Sequence, residues 1–496
     1  MRFAGLLVLC APLALAAGCE SIKDLKLKNV TVTAAETVTA GAFQQPGGRG
    51  GKGGNPFANL PAFCRVAATL APTSDSDIKI EVWMPAGANW NANLQAVGNG
   101  AWAGAISYPA MATAVADGYA AASTDTGHAG GNPATFIPGH PEKAIDFAYR
   151  AVHEMTVAAK AILAANYGRA PARSYWNGCS TGGRQALTEA QRYPGDFDGI
   201  IAGAAANYTT HLQGAQVWTA TLVNKNDAAK IPQTKFAMMH EAALAACDAA
   251  DGVKDGVIEN PVRCNFDPRV LLCKAADEPA CLTAPQVEAA RKTYEGPKDS
   301  RGRSLFPGLE PGSETGWNTL SGARAMALAD EVYKFLVYKD PNWNYLTFDA
   351  ERDIALADRT IGDTWNSTNP NLKPFFDRGG KLLMYHGWAD PGIAPRNSVN
   401  YYQSVIDTLG AAATSNIRLF LVPGMGHCGG GDGTATFSMI TALNAWASGG
   451  QPPARIEASR VRGGQTDRTR PLCAYPQTAQ YNGSGSTDDT KNFTCR

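Results

Sequence analysis

Residues 173–192 constrain the fold of this chain more tightly than any other stretch. RSYWNG (173–178) is β-prone, and it runs through Gly178-Cys179-Ser180-Thr181-Gly182 into the helix-compatible GGRQALTEAQRYP. A G-x-S-x-G match is weak by itself in a chain with 52 glycines. Between a strand and a helix it has a mechanical meaning. The glycines allow a tight turn that lifts the serine hydroxyl off the carboxyl end of a strand. That turn needs a parallel sheet with helices packed on it.

The rest of the chain repeats this rhythm. Strand signals fall at IKIEVWMP (78–85), NLQAVGNG (93–100), YAAASTDTGH (119–128), FDGIIAG (197–203), KLLMYHG (381–387) and RLFLVPG (418–424). Residues 144–168 carry apolar positions at three- and four-residue spacing and predict the clearest helix. The stretch from about 205 to 375 breaks the alternation and reads as a large insertion forming a cap over the carboxyl ends of the strands. The predicted fold class is α/β, an α/β-hydrolase with a large inserted lid. Its catalytic domain is split into 17–204 and 376–496, with the lid at 205–375.

Residues 1–16 have the order of an export signal: Arg2, an apolar run from Phe3 to Leu15, and the small-residue site Ala14-Leu15-Ala16. Ala16-Ala17-Gly18 before Cys19 is a weaker, lipoprotein-like alternative. Cysteine parity favours the soluble form. Removing Cys10 with the signal leaves ten of the 11 cysteines, an even set suited to an oxidising compartment. The expected location is secreted or periplasmic. Lys plus Arg equals Asp plus Glu, 44 each, which argues against a nucleic-acid or anionic-membrane partner. No apolar run long enough to span a membrane follows the signal. The glycine-rich loop at 44–54 lacks the flanking strand and GK[ST] of a phosphate loop, and no function is assigned to it.

A serine nucleophile needs a base and an acid to orient it, in the chain order Ser, acid, His. His427 follows a strong strand in a glycine-rich loop, whereas His240 lies mid-helix. His386 ends a strand, and Asp390 four residues later suits the acid role. Asp125 is the competing acid but precedes the serine. The oxyanion donors are read as the N–H of Thr181 and one from the loop GNGAWAG, at Gly100 or Ala101. Cys179 precedes Ser180 as Cys428 follows His427. Formation of the triad brings the two sulfurs together, so a Cys179–Cys428 disulfide is expected. It closes a loop of about 250 residues and contributes at most about 5 kcal/mol in the chain-entropy model.

The acidic stretch CDAADGVKDGVIENPVRC places Asp248, Asp251 and Asp255 around Gly252 and Gly256. Three carboxylates on a curling backbone suit a hard cation such as Ca²⁺. The spacing is not that of an EF-hand.

In LPAFCRV, GNGAWAG, STDTGH, IDFAYRAVH, GCSTGGRQ, FDGIIAG, GGKLLMYHGWADP and FLVPGMGHC, the chain resembles the tannase/feruloyl esterase family of α/β-hydrolases from about Cys19 to Cys495. That family also includes mono(2-hydroxyethyl) terephthalate hydrolase. The resemblance implies a triad of Ser180, Asp390 and His427 with a disulfide joining Cys179 to Cys428. It implies a structural Ca²⁺ in the lid on the side chains of Asp248, Asp251 and Asp255 and the carbonyls of Val253 and Val257. It also implies the pairs Cys19–Cys64, Cys247–Cys264, Cys273–Cys281 and Cys473–Cys495, of which the last three have short separations as well. No organic cofactor is expected. The implied activity is hydrolysis of small aromatic esters, feruloyl-type first and galloyl second, with the acid attached to plant polysaccharide or polyphenol. Terephthalate monoesters, a peptidase and a non-catalytic calcium-stabilised binding protein are the rival readings.

Overall fold

The computed structural model describes residues 18–47, 55–102, 104–130 and 133–496. The predicted signal (1–16), Cys10 and most of the 44–54 loop lie outside them. Among the described residues no helix is long and apolar enough to cross a membrane.

Nine strands form one sheet: β1 (Val30–Val38), β2 (Phe63–Leu70), β3 (Ile78–Pro85), β4 (Asn93–Val97), β5 (Ala120–Thr124), β6 (Arg173–Cys179), β7 (Gly199–Gly203), β8 (Lys381–Gly387) and β9 (Ile417–Val422). Their order is β1-β2-β3-β5-β4-β6-β7-β8-β9. The run β5-β4-β6-β7-β8-β9 is parallel, and β1, β2 and β3 add an antiparallel edge.

Both faces of the parallel half are buried, so its strands are continuously apolar instead of alternating. Trp176, Ala202, Leu382, Met384 and Leu419 point to one layer. There they meet Val152, Met155 and Ala159 of the helix Ala151–Tyr167 and Leu187 of the helix Thr181–Arg192. Their neighbours Tyr175, Ile201, Leu383 and Phe420 point the other way, onto Met111 of the helix Tyr108–Ala116 and Leu443 and Trp446 of the helix Met439–Ala447. We label Tyr108–Ala116 α1, Pro141–Ile145 α2, Ala151–Tyr167 α3 and Thr181–Arg192 α4.

The helix expected over 144–168 is interrupted. A single π turn, Asp146–Arg150, separates α2 from α3. One extra residue per turn shifts the apolar face slightly without abolishing its periodicity, so the interruption is invisible to a pattern count. Gly168, at φ 69°, ends α3 in the left-handed conformation that glycine adopts without strain.

After β7 the chain leaves the sheet at Gly203 and returns at Lys381, the start of the adjacent strand β8. The intervening segment supplies most of two apolar clusters, the first shared with Trp102 and Phe147 and the second with Ile393 and Ala394. One is built around Tyr333, Trp343 and Phe348, and another around Phe236, Leu282 and Trp317.

Helix α4 runs against the sheet with almost no clearance. A Cβ on Gly183 would drive into the Gly203 carbonyl and stand 2.8 Å from the Ala205 backbone. Both obstacles are main chain and cannot rotate away. Gly183→Ala is therefore expected to lower stability by about 1–3 kcal/mol, read as a shifted urea midpoint. An unchanged midpoint would show that α4 has slack.

Candidate active site

Ser180 sits between the last residue of β6 and the first of α4, at φ 64° and ψ −119°. For a residue with a Cβ this conformation costs about 1–3 kcal/mol and persists only where the surroundings impose it. The surroundings here are specific. The Ser180 N–H donates to the Gly203 carbonyl at 3.0 Å, and its own carbonyl accepts from Arg184 and Ala206. A Cβ on Gly178 would stand 2.5 Å from the Gly182 carbonyl, so only glycine lets the strand and helix meet this closely.

The loops after β8 and β9 bring the other two residues to the serine. The His427 Nε2 lies 2.9 Å from the Ser180 Oγ, and its Nδ1 lies 2.7 Å from the Asp390 Oδ2. Asp390 is fully buried. Its Oδ1 accepts from the backbone N–H groups of Gly392 (2.8 Å) and Ile393 (3.0 Å). Its Oδ2 is shared between His427 and the His386 Nε2, the latter at 3.1 Å. The His386 Nδ1 is held by the Ser398 Oγ at 2.7 Å. Burial alone would raise the Asp390 pKa, but the hydrogen bonds and charges of His386 and His427 hold it well below the usual carboxylate range. Burial pulls the other way on His427, disfavouring its charge. The hydrogen bond and charge of Asp390 outweigh that and leave its pKa above the ordinary imidazole value.

Asp125, the competing acid, spends its Oδ1 on the N–H groups of Lys79 and Gly127 and shapes the turn after β5. His240 bonds Glu314, outside the triad. His386, weighed for the triad itself, lies between Asp390 and Ser398 and bonds both.

Thr181 opens α4, where its N–H has no intrahelical acceptor and lies at the positive end of the helix. The loop carrying Gly100 and Ala101 is tied to the same helix. The Asn99 carbonyl accepts from the Gly182 N–H at 2.8 Å, and Asn99 exchanges two hydrogen bonds with the Gln185 amide, each 3.1 Å. The Thr181 Oγ1 donates to the Ala101 carbonyl at 3.0 Å, and Ala101 holds φ 48°. The His128 Nε2 donates to the Trp102 carbonyl at 2.7 Å and fixes the loop from the other side. Asn99, Gln185 and His128 were not singled out from sequence. All three stand in quoted motifs (GNGAWAG, GCSTGGRQ and STDTGH), but the pairing of Asn99 with Gln185 spans 86 residues.

Cys179 and Cys428 are bonded, with Cα atoms 6.0 Å apart, and the four other expected pairs are present too. Cys19 is therefore held by Cys64.

Ser180, His427, Thr181, Gly100 and Ala101 border one cavity of about 540 Å³. Trp102 and Phe147 line it from the sheet domain, and Met326, Leu328, Val332 and Trp365 line it from the segment inserted between β7 and β8.

The acidic loop curls as expected, with Gly252 at φ 89° and Gly256 at φ 80°. Asp248 accepts from the N–H groups of Asp255 and Gly256, and Asp251 accepts from Val253. Asp255 pairs with Arg470 (2.5 Å) and Arg468 (3.1 Å). The loop offers oxygen donors of the kind hard cations take. Even so, among the described residues no three His, Cys, Asp or Glu side chains converge into a group able to hold a metal.

Comparisons with known proteins bear on the family. The family model for tannase and feruloyl esterase matches residues 64–496. An uncharacterized esterase of Xanthomonas campestris is 37% identical, over 97% of this chain and 91% of that protein. A probable feruloyl esterase B-1 of Aspergillus oryzae is 32% identical, over 97% and 93%. The crystal structure of feruloyl esterase B from Aspergillus oryzae superposes with a TM-score of 0.90 at 31% identity, covering 96% of this chain and 99% of that one. A match of this extent in sequence and fold places the chain in the tannase and feruloyl esterase family of carboxylic ester hydrolases.

Proposed function

We propose that the chain is an exported serine esterase that hydrolyses esters of aromatic acids, feruloyl-type esters first and galloyl or terephthalate monoesters after them. The observation that carries this reading is the Ser180–His427–Asp390 chain of hydrogen bonds opening onto a cavity walled by Trp102, Phe147 and Trp365. A planar aromatic acid fits such walls. The segment between β7 and β8 acts as the lid that completes them.

In this mechanism the Ser180 Oγ attacks the ester carbonyl while the His427 Nε2 takes its proton. Asp390 stabilises the imidazolium that forms and stays ionised itself. The oxyanion receives the Thr181 N–H and a second N–H from Gly100 or Ala101. His427 then returns the proton to the leaving alcohol. Water, activated by the same imidazole, releases the acid from Ser180. The disulfides support an oxidising setting, as an exported protein meets.

Ser180→Ala is expected to reduce methyl ferulate hydrolysis by at least about 10⁴-fold with the thermal midpoint unchanged. Retained turnover would remove Ser180 from the mechanism. Ranking methyl ferulate, methyl gallate and a terephthalate monoester by kcat/KM tests the substrate class, and inertness towards all three contradicts it.

The pH profile follows from the sign of the His427 shift. The base must be neutral to accept a proton, and Asp390 raises its pKa. Activity should therefore rise with pH through a midpoint above about 6.5. Asp390→Asn should move that midpoint down while cutting kcat by about 10⁴-fold. A midpoint unmoved by the substitution would break the link between the two residues.

Calcium is a separate proposal, as a structural ion on Asp248, Asp251, Asp255 and the carbonyls of Val253 and Val257. It rests on the donor chemistry of the loop and the family resemblance, and it has no part in the chemical steps. Chelation is expected to lower Tm by more than about 2 °C, with recovery on adding Ca²⁺ back. An identical Tm with and without chelator rejects it.

A further inference from the structure

The cavity contains a charge that the mechanism leaves unused. Arg184 stands one turn along α4 from Ser180, is 3% exposed, and lines the cavity together with Phe147 and Trp365. Its guanidinium carbon lies 5.5 Å from the centre of the Phe147 ring and 5.6 Å from that of Trp365. The charged group is therefore at the aromatic end of the cavity.

A guanidinium has five N–H donors. Nη1 donates to the Ala148 carbonyl at 2.7 Å and Nη2 to the Phe147 carbonyl at 3.1 Å, both in the π turn Asp146–Arg150. Among the described residues these are its side-chain partners, and no carboxylate pairs with it. The other two buried arginines, Arg468 and Arg470, share Asp255. Half-buried Arg65 and Arg150 have Glu81 and Asp146. Burial pushes the Arg184 pKa down to about 10, with the Arg192 charge acting in the same direction, and the group is still a cation at neutral pH. An uncompensated buried charge is strongly destabilising, and two carbonyls offset only part of that. Bracing the π turn accounts for two donors. It does not account for the missing counter-charge, nor for the position on the wall of the site.

We infer that Arg184 is a specificity residue that receives an oxygen acceptor, a phenolic oxygen or a carboxylate, carried by the aromatic acyl group away from its ester. The enzyme then favours aromatic acids bearing such an oxygen over unsubstituted ones. Charge-assisted hydrogen bonds to oxygen are the strong ones, and a buried guanidinium stabilises the ionised form of the group it meets. This inference rests on the esterase reading above.

The test compares kcat/KM for methyl cinnamate, methyl 4-hydroxycinnamate and monomethyl terephthalate. At least one oxygen-bearing ester should exceed methyl cinnamate by about tenfold or more, the worth of one good hydrogen bond to a charged group. In Arg184→Met the ratio should collapse towards one, and Arg184→Lys should keep part of it. Equal losses on all three esters, with the ratio intact, would make Arg184 merely structural and overturn the inference. Where Arg184→Met does not fold, wild-type protein decides through inhibition by the free acids. Either 4-hydroxycinnamate should bind about tenfold tighter than cinnamate, its phenol ionising at lower pH when bound, as read by ultraviolet absorbance, or terephthalate should bind about tenfold tighter than benzoate. Equal inhibition within both pairs overturns it. Turnover of all three esters at equal rates sinks this inference and leaves the esterase standing. Turnover of none sinks both.

Discussion

Ser180 holds a backbone conformation that a serine avoids, and the architecture around it is arranged so that it has no other. β6 ends and α4 begins within one residue, and both are pinned. The Ser180 N–H is caught by the end of β7, while Gly178, Gly182 and Gly183 let the helix, the strands and the loop after β4 approach to main-chain contact. The strain of about 1–3 kcal/mol is offset by the packing of α4 on the sheet. It places the hydroxyl outside the strand end, with the Thr181 N–H beside it. Ala101 and Cys428, also at positive φ, border the same cavity, so three of the eight such non-glycine residues among the described residues lie where the chemistry would occur.

The Cys179–Cys428 bond acts on the same geometry from the opposite direction. Ser180 rides on β6, while His427 sits on the loop after β9, three strands away in the sheet. A covalent tie between their immediate neighbours limits how far those two loops can separate. Asp390 needs no such tie, because two backbone N–H groups and two imidazoles fix its carboxylate. Ser180, Asp390 and His427 are thus held by main-chain hydrogen bonds and a disulfide as well as by the hydrogen bonds among themselves.

Much of this was legible in the sequence, for physical reasons. The parallel strands announce themselves as apolar runs because both of their faces are buried, and strand–turn–helix at Ser180 is local. β1 and β2 were not read. Val30–Val38 is an edge strand of alternating Val, Thr, Ala and Glu with no fully buried position, and its pairing with β2 is non-local. The π turn at 146–150 hid inside a helical periodicity. The amide exchange between Asn99 and Gln185, and the service of His386 to Asp390, depend on contacts that only the fold creates. The pairing of Asp255 with Arg468 and Arg470 joins residues more than 200 positions apart and likewise had no local signal.

The central claim is that Ser180 is a nucleophile activated through His427. Its most direct test is covalent trapping with an aryl phosphonate, read by intact mass and peptide mapping. The account predicts one adduct per chain on the peptide containing Ser180, and greatly slowed labelling in His427→Ala. An unlabelled Ser180 in folded protein, or labelling indifferent to His427, would contradict it.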